Sequence, residues 1–175
     1  MESSELERFE AFVLPHLDAA YTLARYLTRD DHDAQDIVQD AYLRALKYFG
    51  GFRGAGGDEA RAWLLAIVRN TAYTWRRRHR VHALGTEFDE ERHSEDAGGP
   101  DPAAALDREE ARASLAHALD GLSPEFREVI VLRELEGLSY KEISEVTGVP
   151  LGTVMSRLAR ARRRLQDALC AREEC

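Results

Sequence analysis

Cysteine, methionine and tryptophan are scarce in this chain, with two of each among 175 residues. Cys170 and Cys175 both lie at the very end, which excludes a disulfide framework. No CxxC and no Cys/His ligand spacing occurs. The six histidines (His16, His32, His79, His82, His93 and His117) form no metal-ligating pattern either. Neither a metal nor a cofactor is expected, and the two thiols read as part of a frayed tail or as a redox pair. The longest wholly apolar run is residues 62–68, far short of the ~20 residues that span a bilayer. A basic-then-apolar start is also absent, so neither membrane insertion nor a signal peptide is expected, and the location should be cytoplasmic. No Gly-rich phosphate loop or catalytic nucleophile motif appears, so an enzyme is the weakest class. Strand-like alternation is missing throughout, which leaves an all-α protein.

What is present is charge, unevenly distributed. The net charge is −8, an odd value for a nucleic-acid binder. Residues 87–110 hold ten carboxylates against Arg92 and Arg108 and so account for all of it. The remainder is balanced, and its cations cluster at Arg76, Arg77, Arg78 and Arg80 and again across residues 157–164. Two basic patches flanking an acidic segment suggest two separate nucleic-acid contacts.

The strongest local signal is LSYKEISEVTGVPLGTVMSRLARARRRL, residues 138–165. Ser139 stands at an N-cap position with Glu142 three residues on, a capping box, and Leu138 can staple onto Ile143. Gly148 can end that helix in the left-handed conformation, and Pro150 cannot continue it. In the next helix Val154, Leu158, Ala161 and Leu165 recur at helical spacing and face inward. Thr153, Met155, Ser156, Arg157, Arg160, Arg163 and Arg164 lie off that face. Two short helices around a tight turn, the second carrying arginines, describe a helix-turn-helix suited to a major groove. A solvated arginine face on a packing helix is the plainer alternative.

Upstream, one helix is expected over about residues 4–27, with Leu6, Phe9, Val13, Leu17, Tyr21, Ala24 and Leu27 inward and Pro15 kinking or dividing it. A second, over about residues 33–49, buries Ile37, Val38, Ala41, Tyr42, Ala45, Leu46 and Phe49. Its opposite face carries Asp33, Asp36, Gln39, Asp40 and Arg44. The glycine-rich loop GGFRGAGGD follows at residues 50–58. A long helix over about residues 59–79 then ends in the first arginine cluster, with Trp63 on its apolar face. Periodicity fades over about residues 81–105, where Gly98, Gly99, Pro100 and Pro102 mark a linker. Helices resume over about residues 104–119 and 124–135, the latter with Ser123 as N-cap and Pro124 at its first position. The architecture expected is therefore two small helical domains, residues 1–82 and 106–175. A flexible acidic linker, residues 83–105, joins them, and the second domain contains the helix-turn-helix.

These features together resemble bacterial RNA polymerase sigma factors of the extracytoplasmic-function (group 4) class of the sigma-70 family, over essentially the whole length. LSPEFREVIVLRELEGLSYKEISEVTGVPLGTVMSRLARARRRL resembles sigma domain 4. DAQDIVQDAYLRAL resembles the part of domain 2 that grips the polymerase, and ARAWLLAIVRNTAYTWRRRHR resembles the segment that reads and opens the minus-10 element. The resemblance implies that Asp33, Asp36, Gln39, Asp40 and Arg44 contact core polymerase. It implies that Asn70, Tyr73, Trp75, Arg76, Arg77 and Arg78 meet minus-10 DNA, where cations serve phosphates and flat groups serve unstacked bases. Trp75 reads equally well as packing. The same resemblance assigns the minus-35 element to Thr153, Met155, Ser156, Arg157, Arg160 and Arg163. Met155 departs from the basic residue common there and cannot donate a hydrogen bond. Loop 50–58 matches the region that cradles a flipped base, for which glycines permit close approach. Implied partners are core RNA polymerase, promoter DNA in double- and single-stranded form, and an anti-sigma factor. The linker, about 23 residues long, can extend to roughly 75–80 Å, more than the ~60 Å taken by some 17 base pairs.

Two rivals stand beside this reading. A conventional repressor or activator would bind duplex DNA alone, usually as a dimer, and would have no use for the polar stripe or the first arginine cluster. A sigma mimic that sequesters an anti-sigma factor would not need the arginines.

Overall fold

The structure, a computed structural model, describes residues 2–82 and 101–173. No strand occurs among them. The N-terminal half comprises α1 (Ser3–Val13), a 3-10 turn (Leu14–His16), α2 (Leu17–Thr28), α3 (Asp31–Tyr48), a second 3-10 turn (Phe49–Gly51) and α4 (Gly57–His82). The C-terminal half comprises α5 (Pro102–Asp120), α6 (Pro124–Ile130), a π-helical turn (Val131–Leu135), α7 (Tyr140–Thr147) and α8 (Leu151–Glu173).

Local chemistry sets these boundaries. Pro15 divides the first helical stretch through the 3-10 turn, which has three residues per turn instead of 3.6 and so rotates the faces of α1 and α2 relative to one another. Leu6 and Leu17, expected inward, lie in the first turns of α1 and α2 and are 44% and 49% exposed, whereas Phe9, Val13, Ala24 and Leu27 are buried. Arg29 ends α2 in the left-handed conformation (φ 61°), its N–H donating to Arg25 O at 2.8 Å. The Asp30 carboxylate then caps α3 by accepting from Asp33 N at 3.0 Å. In the C-terminal half, Asp101 caps α5 by accepting from Ala103 N, so the helix begins at Pro102, inside the stretch expected to be linker. Residues 83–100 of that stretch lie outside the described residues. Ser123 sits at the N-cap of α6, although its hydroxyl makes no capping bond.

Leu23, Leu27, Ile37, Phe49, Leu64 and Leu65 are fully buried in the N-terminal half, as are Leu119, Leu132, Leu138, Ile143 and Leu158 in the C-terminal half. Each contributes roughly 1.5–3 kcal/mol by leaving water. The two sets form one continuous apolar core, because α2 packs on α6 and α4 packs on α7. Arg127 stitches the junction. Its guanidinium, 4% exposed, donates to Leu119 O, Leu122 O, Asp120 O and, across the halves, Tyr26 O at 2.7–3.2 Å. Burial pulls its pKa down to about 10, and the carbonyl ends of α2 and α5 supply the negative dipoles that keep it charged at neutral pH. No helix among the described residues is long and apolar enough to cross a membrane.

Candidate nucleic-acid interfaces

The helix-turn-helix forms as its sequence requires. Ser139 Oγ accepts from Glu142 N at 3.1 Å, and the Glu142 carboxylate accepts from Ser139 N at 3.2 Å. Leu138 and Ile143, the two ends of the staple, are both fully buried. Gly148 closes α7 at φ 72°. Ser144 Oγ donates to Val149 O at 2.6 Å, and Thr153 N and Val154 N donate to Pro150 O, which locks the turn. Val154, Leu158 and Ala161 anchor α8 to the core, and Leu165 is half-buried.

Anchoring that face turns the other outward. Met155, Ser156, Arg160 and Arg163 are exposed, and Thr153 and Arg157 are half-buried. The arginines are not equivalent. Arg162 pairs with Glu134 at 2.7 Å, and Arg164 lies 4.8 Å from the Phe126 ring centre. Arg160 and Arg163 make no ion pair or hydrogen bond among the described residues and so present free guanidinium forks, the donor geometry that fits a guanine edge or a phosphate. Met155, 52% exposed, sets an apolar patch among them.

The second basic region lies on the last turns of α4. Asn70, Arg77 and Arg78 are exposed, whereas Tyr73, Trp75 and Arg76 are half-buried. Trp75 stacks on His79 at 3.9 Å and also packs on the core. The Tyr73 ring lies 4.3 Å beneath the Arg69 guanidinium, and its hydroxyl is enclosed without a hydrogen bond of ordinary geometry. Burial, with the nearby Glu128 carboxylate, raises the pKa of that phenol. The six side chains therefore do not make one open surface: three reach solvent, and Tyr73 and Arg76 turn toward the C-terminal half. Burial likewise lowers the Arg76 pKa.

Beside α4, loop 50–58 borders an open cleft of about 640 Å³ walled by Phe52, Arg53, Gly54 and Trp63 and, from α7, Ser139 and Lys141. Phe52 and Trp63 stand 5.1 Å apart. Gly54 is required here, because a Cβ would come within 2.2 Å of the Phe52 ring. Phe52 is buried and stacks on Phe49 at 5.6 Å, so the half-buried Trp63 ring is the flat face this cleft offers to an unstacked base.

On α3, Asp36, Gln39 and Asp40 are exposed, and Asp33 and Arg44 are half-buried. Arg44 pairs with Asp40 at 3.1 Å. Burial, with neighbouring Asp30, raises the Asp33 pKa. Leu43, 63% exposed, shares the face of Asp36 and Asp40. It escapes the sequence pattern because a leucine on an amphipathic helix is assigned inward or ignored, and only the packed structure shows it outside. No group of His, Cys, Asp or Glu able to hold a metal occurs among the described residues, and Cys170 is a free, exposed thiol.

Known proteins share this arrangement. Residues 12–81 match the family model Sigma-70 region 2, and residues 112–165 match Sigma-70, region 4. The ECF RNA polymerase sigma factor SigE of Mycolicibacterium smegmatis is 34% identical over 171 residues, covering 96% of this chain. This chain spans 64% of that relative's length. The RNA polymerase sigma-H factor of Pseudomonas aeruginosa is 34% identical over 178 residues, covering 97% of this chain and 90% of the relative. Among solved structures, the sigma factor RpoE in complex with the anti-sigma factor NepR from Bartonella quintana superposes with a TM-score of 0.74. It is 30% identical, covering 93% of this chain and 97% of that one.

Proposed function

The chain belongs to the extracytoplasmic-function class of the sigma-70 family, and from that premise we propose how its surfaces direct RNA polymerase to promoters. As a sigma factor it acts in transcription initiation, binding core polymerase and promoter DNA. The proposed division is residues 1–82 as the polymerase-binding and minus-10 domain, residues 83–105 as the linker, its last four residues already in α5, and residues 106–175 as the minus-35 domain. The observation that carries this reading is the capped helix-turn-helix presenting Arg160 and Arg163 without internal partners.

Arg160 and Arg163, with Arg157, Thr153, Met155 and Ser156, read the minus-35 element from the major groove. Asn70, Arg77 and Arg78 hold minus-10 phosphates and base edges, with Tyr73, Trp75 and Arg76 joining them. The cleft beside Trp63 and loop 50–58 receives an extruded base. Capture of unpaired bases shifts the duplex toward the melted form, for which each extruded base demands a few kcal/mol. The α3 stripe, Asp33, Asp36, Gln39, Asp40 and Arg44, together with Leu43, docks core polymerase. No covalent step belongs to the protein itself. It acts in the cytoplasm, and an anti-sigma factor of the kind bound to the Bartonella RpoE regulates it.

The test is promoter output from reconstituted holoenzyme carrying Arg157→Ala and Arg160→Ala. Output from promoters with a minus-35 element should drop, roughly tenfold or more for a lost bidentate base contact of about 1–3 kcal/mol plus a phosphate contact. Unchanged output would remove α8 as the reading helix.

A further inference from the structure

We propose that Leu151, Met155 and Ala159 form an apolar stripe on α8 that reads the C5 methyl group of a thymine in the minus-35 element. This rests on the assignment of α8 to the major groove of that element.

Leu151, Met155 and Ala159 recur every four residues from the start of α8 and so lie along one line of its surface. Leu151 is 48% and Met155 52% exposed, and Ala159 is exposed as well. Packing within the chain does not account for this line, because the face held against the core is that of Val154, Leu158 and Ala161. Gly152 adjoins Leu151, and a Cβ there would meet open space, so no neighbour requires a glycine at this position. A bare backbone does let this end of the helix come close to a partner.

The N-terminal turns of a recognition helix are the part that reaches base edges. In α8 those turns are poor in free donors. The Ser156 hydroxyl donates to Thr153 O at 3.1 Å. Arg162, next along the line of Leu151 and Met155, is paired with Glu134 at 2.7 Å. The unpaired cations, Arg160 and Arg163, stand further along on the adjoining face and hold the helix in the groove. A thioether and two hydrocarbon side chains donate no hydrogen bond to a base. The apolar feature that a major-groove edge offers them is the thymine methyl. Methionine, flexible and polarizable, can close over it beside Leu151.

The test uses holoenzyme reconstituted from core polymerase and the full chain, with a promoter duplex which that holoenzyme selects from random sequence. Each thymine of its minus-35 element, on either strand, is replaced singly by deoxyuridine, which removes the methyl and keeps every hydrogen-bonding group. Affinity should fall about fourfold at one position, as for the loss of one buried methyl-sized group. Met155→Ala should bring the thymine-to-uracil ratio there close to one, and Leu151→Ala should lower it. A minus-35 element without thymine, deoxyuridine silent at every position, or a ratio that survives Met155→Ala would overturn the methyl contact. So would a Met155→Ala variant that weakens binding to both duplexes alike, since the side chain would then be touching something else. Arg160→Ala/Arg163→Ala separates this idea from the assignment of α8. If that variant still discriminates fully against a scrambled minus-35 element, α8 is not the reading helix and both fall. If it loses that discrimination while deoxyuridine has no effect in the wild type, the methyl contact alone falls.

Discussion

Arg127 is the side chain whose removal should cost this fold most for its size. Replacing it with methionine keeps most of the aliphatic stem and deletes the guanidinium. Four carbonyls lose a donor. Two retain others: Leu119 O also accepts from Leu122 N, and Asp120 O from Arg29. Tyr26 O and Leu122 O are left without a donor in a buried junction, at about 1–3 kcal/mol each. Lost packing adds to this, giving roughly 3–5 kcal/mol in total, partly offset because the cation no longer has to be desolvated. For a chain of this size each kcal/mol lowers Tm by about 2–4 °C. Circular dichroism at 222 nm should therefore show a fall of roughly 6–20 °C, and Arg127→Lys, which cannot span four acceptors, should not restore it. A Tm within about 2 °C of wild type for Arg127→Met would show that the carbonyls find water and that the junction is not held as described.

The other perturbations reach separate parts of the molecule. Leu158→Ala, at 1% exposure in the anchor of α8, should destabilise by about 2–5 kcal/mol in denaturant titration; a change under 1 kcal/mol would mean the site collapses without cost. Leu43→Asp, or Asp36 and Gln39 changed together, should reduce co-purification with core polymerase without altering Tm, and full retention would sink the docking assignment. The Tyr42 hydroxyl donates to Val13 O at 3.0 Å, and burial pushes its pKa up to about 12 from an ordinary 10.0. The neutral phenol therefore stabilises the fold fully below pH 10, and that contribution is lost as pH rises through about 12. A tyrosine absorbance titration should show late-ionising phenols, Tyr42 and Tyr73 among them, and Tyr42→Phe should reduce the late step by one tyrosine; an unchanged titration would contradict the burial of Tyr42.

Much of this was legible in the sequence because it is local. The Ser139–Glu142 box, the Gly148 stop and the Val154–Leu158–Ala161 spacing each depend on residues within a few positions of one another, and all appear as expected. The polar stripe of α3 was readable for the same reason. What periodicity could not show was long-range. Arg69 and Glu128 stand 59 residues apart, and Arg127 and Tyr26 stand 101 apart. An arginine in a helix reads as solvated until the partner is placed beside it. Tyr73 was assigned by type to nucleic acid, yet packing covers it with α6 in this state. The inward assignment of Leu6 and Leu17 fails because each stands in the first turn of its helix, half-exposed although it shares a face with a buried residue seven positions on, Val13 and Ala24 respectively. The π turn at Val131–Leu135 left no mark in a pattern tuned to 3.6 residues.

The most direct test of sigma function is in vitro transcription from a library of random promoters, using purified core polymerase with and without this protein. Transcripts that depend on the protein and share two spaced sequence motifs are expected, with the upstream motif lost in the Arg157→Ala/Arg160→Ala variant. No protein-dependent transcripts, together with tight binding of duplex DNA by the protein alone, would contradict the assignment and favour a conventional DNA-binding regulator.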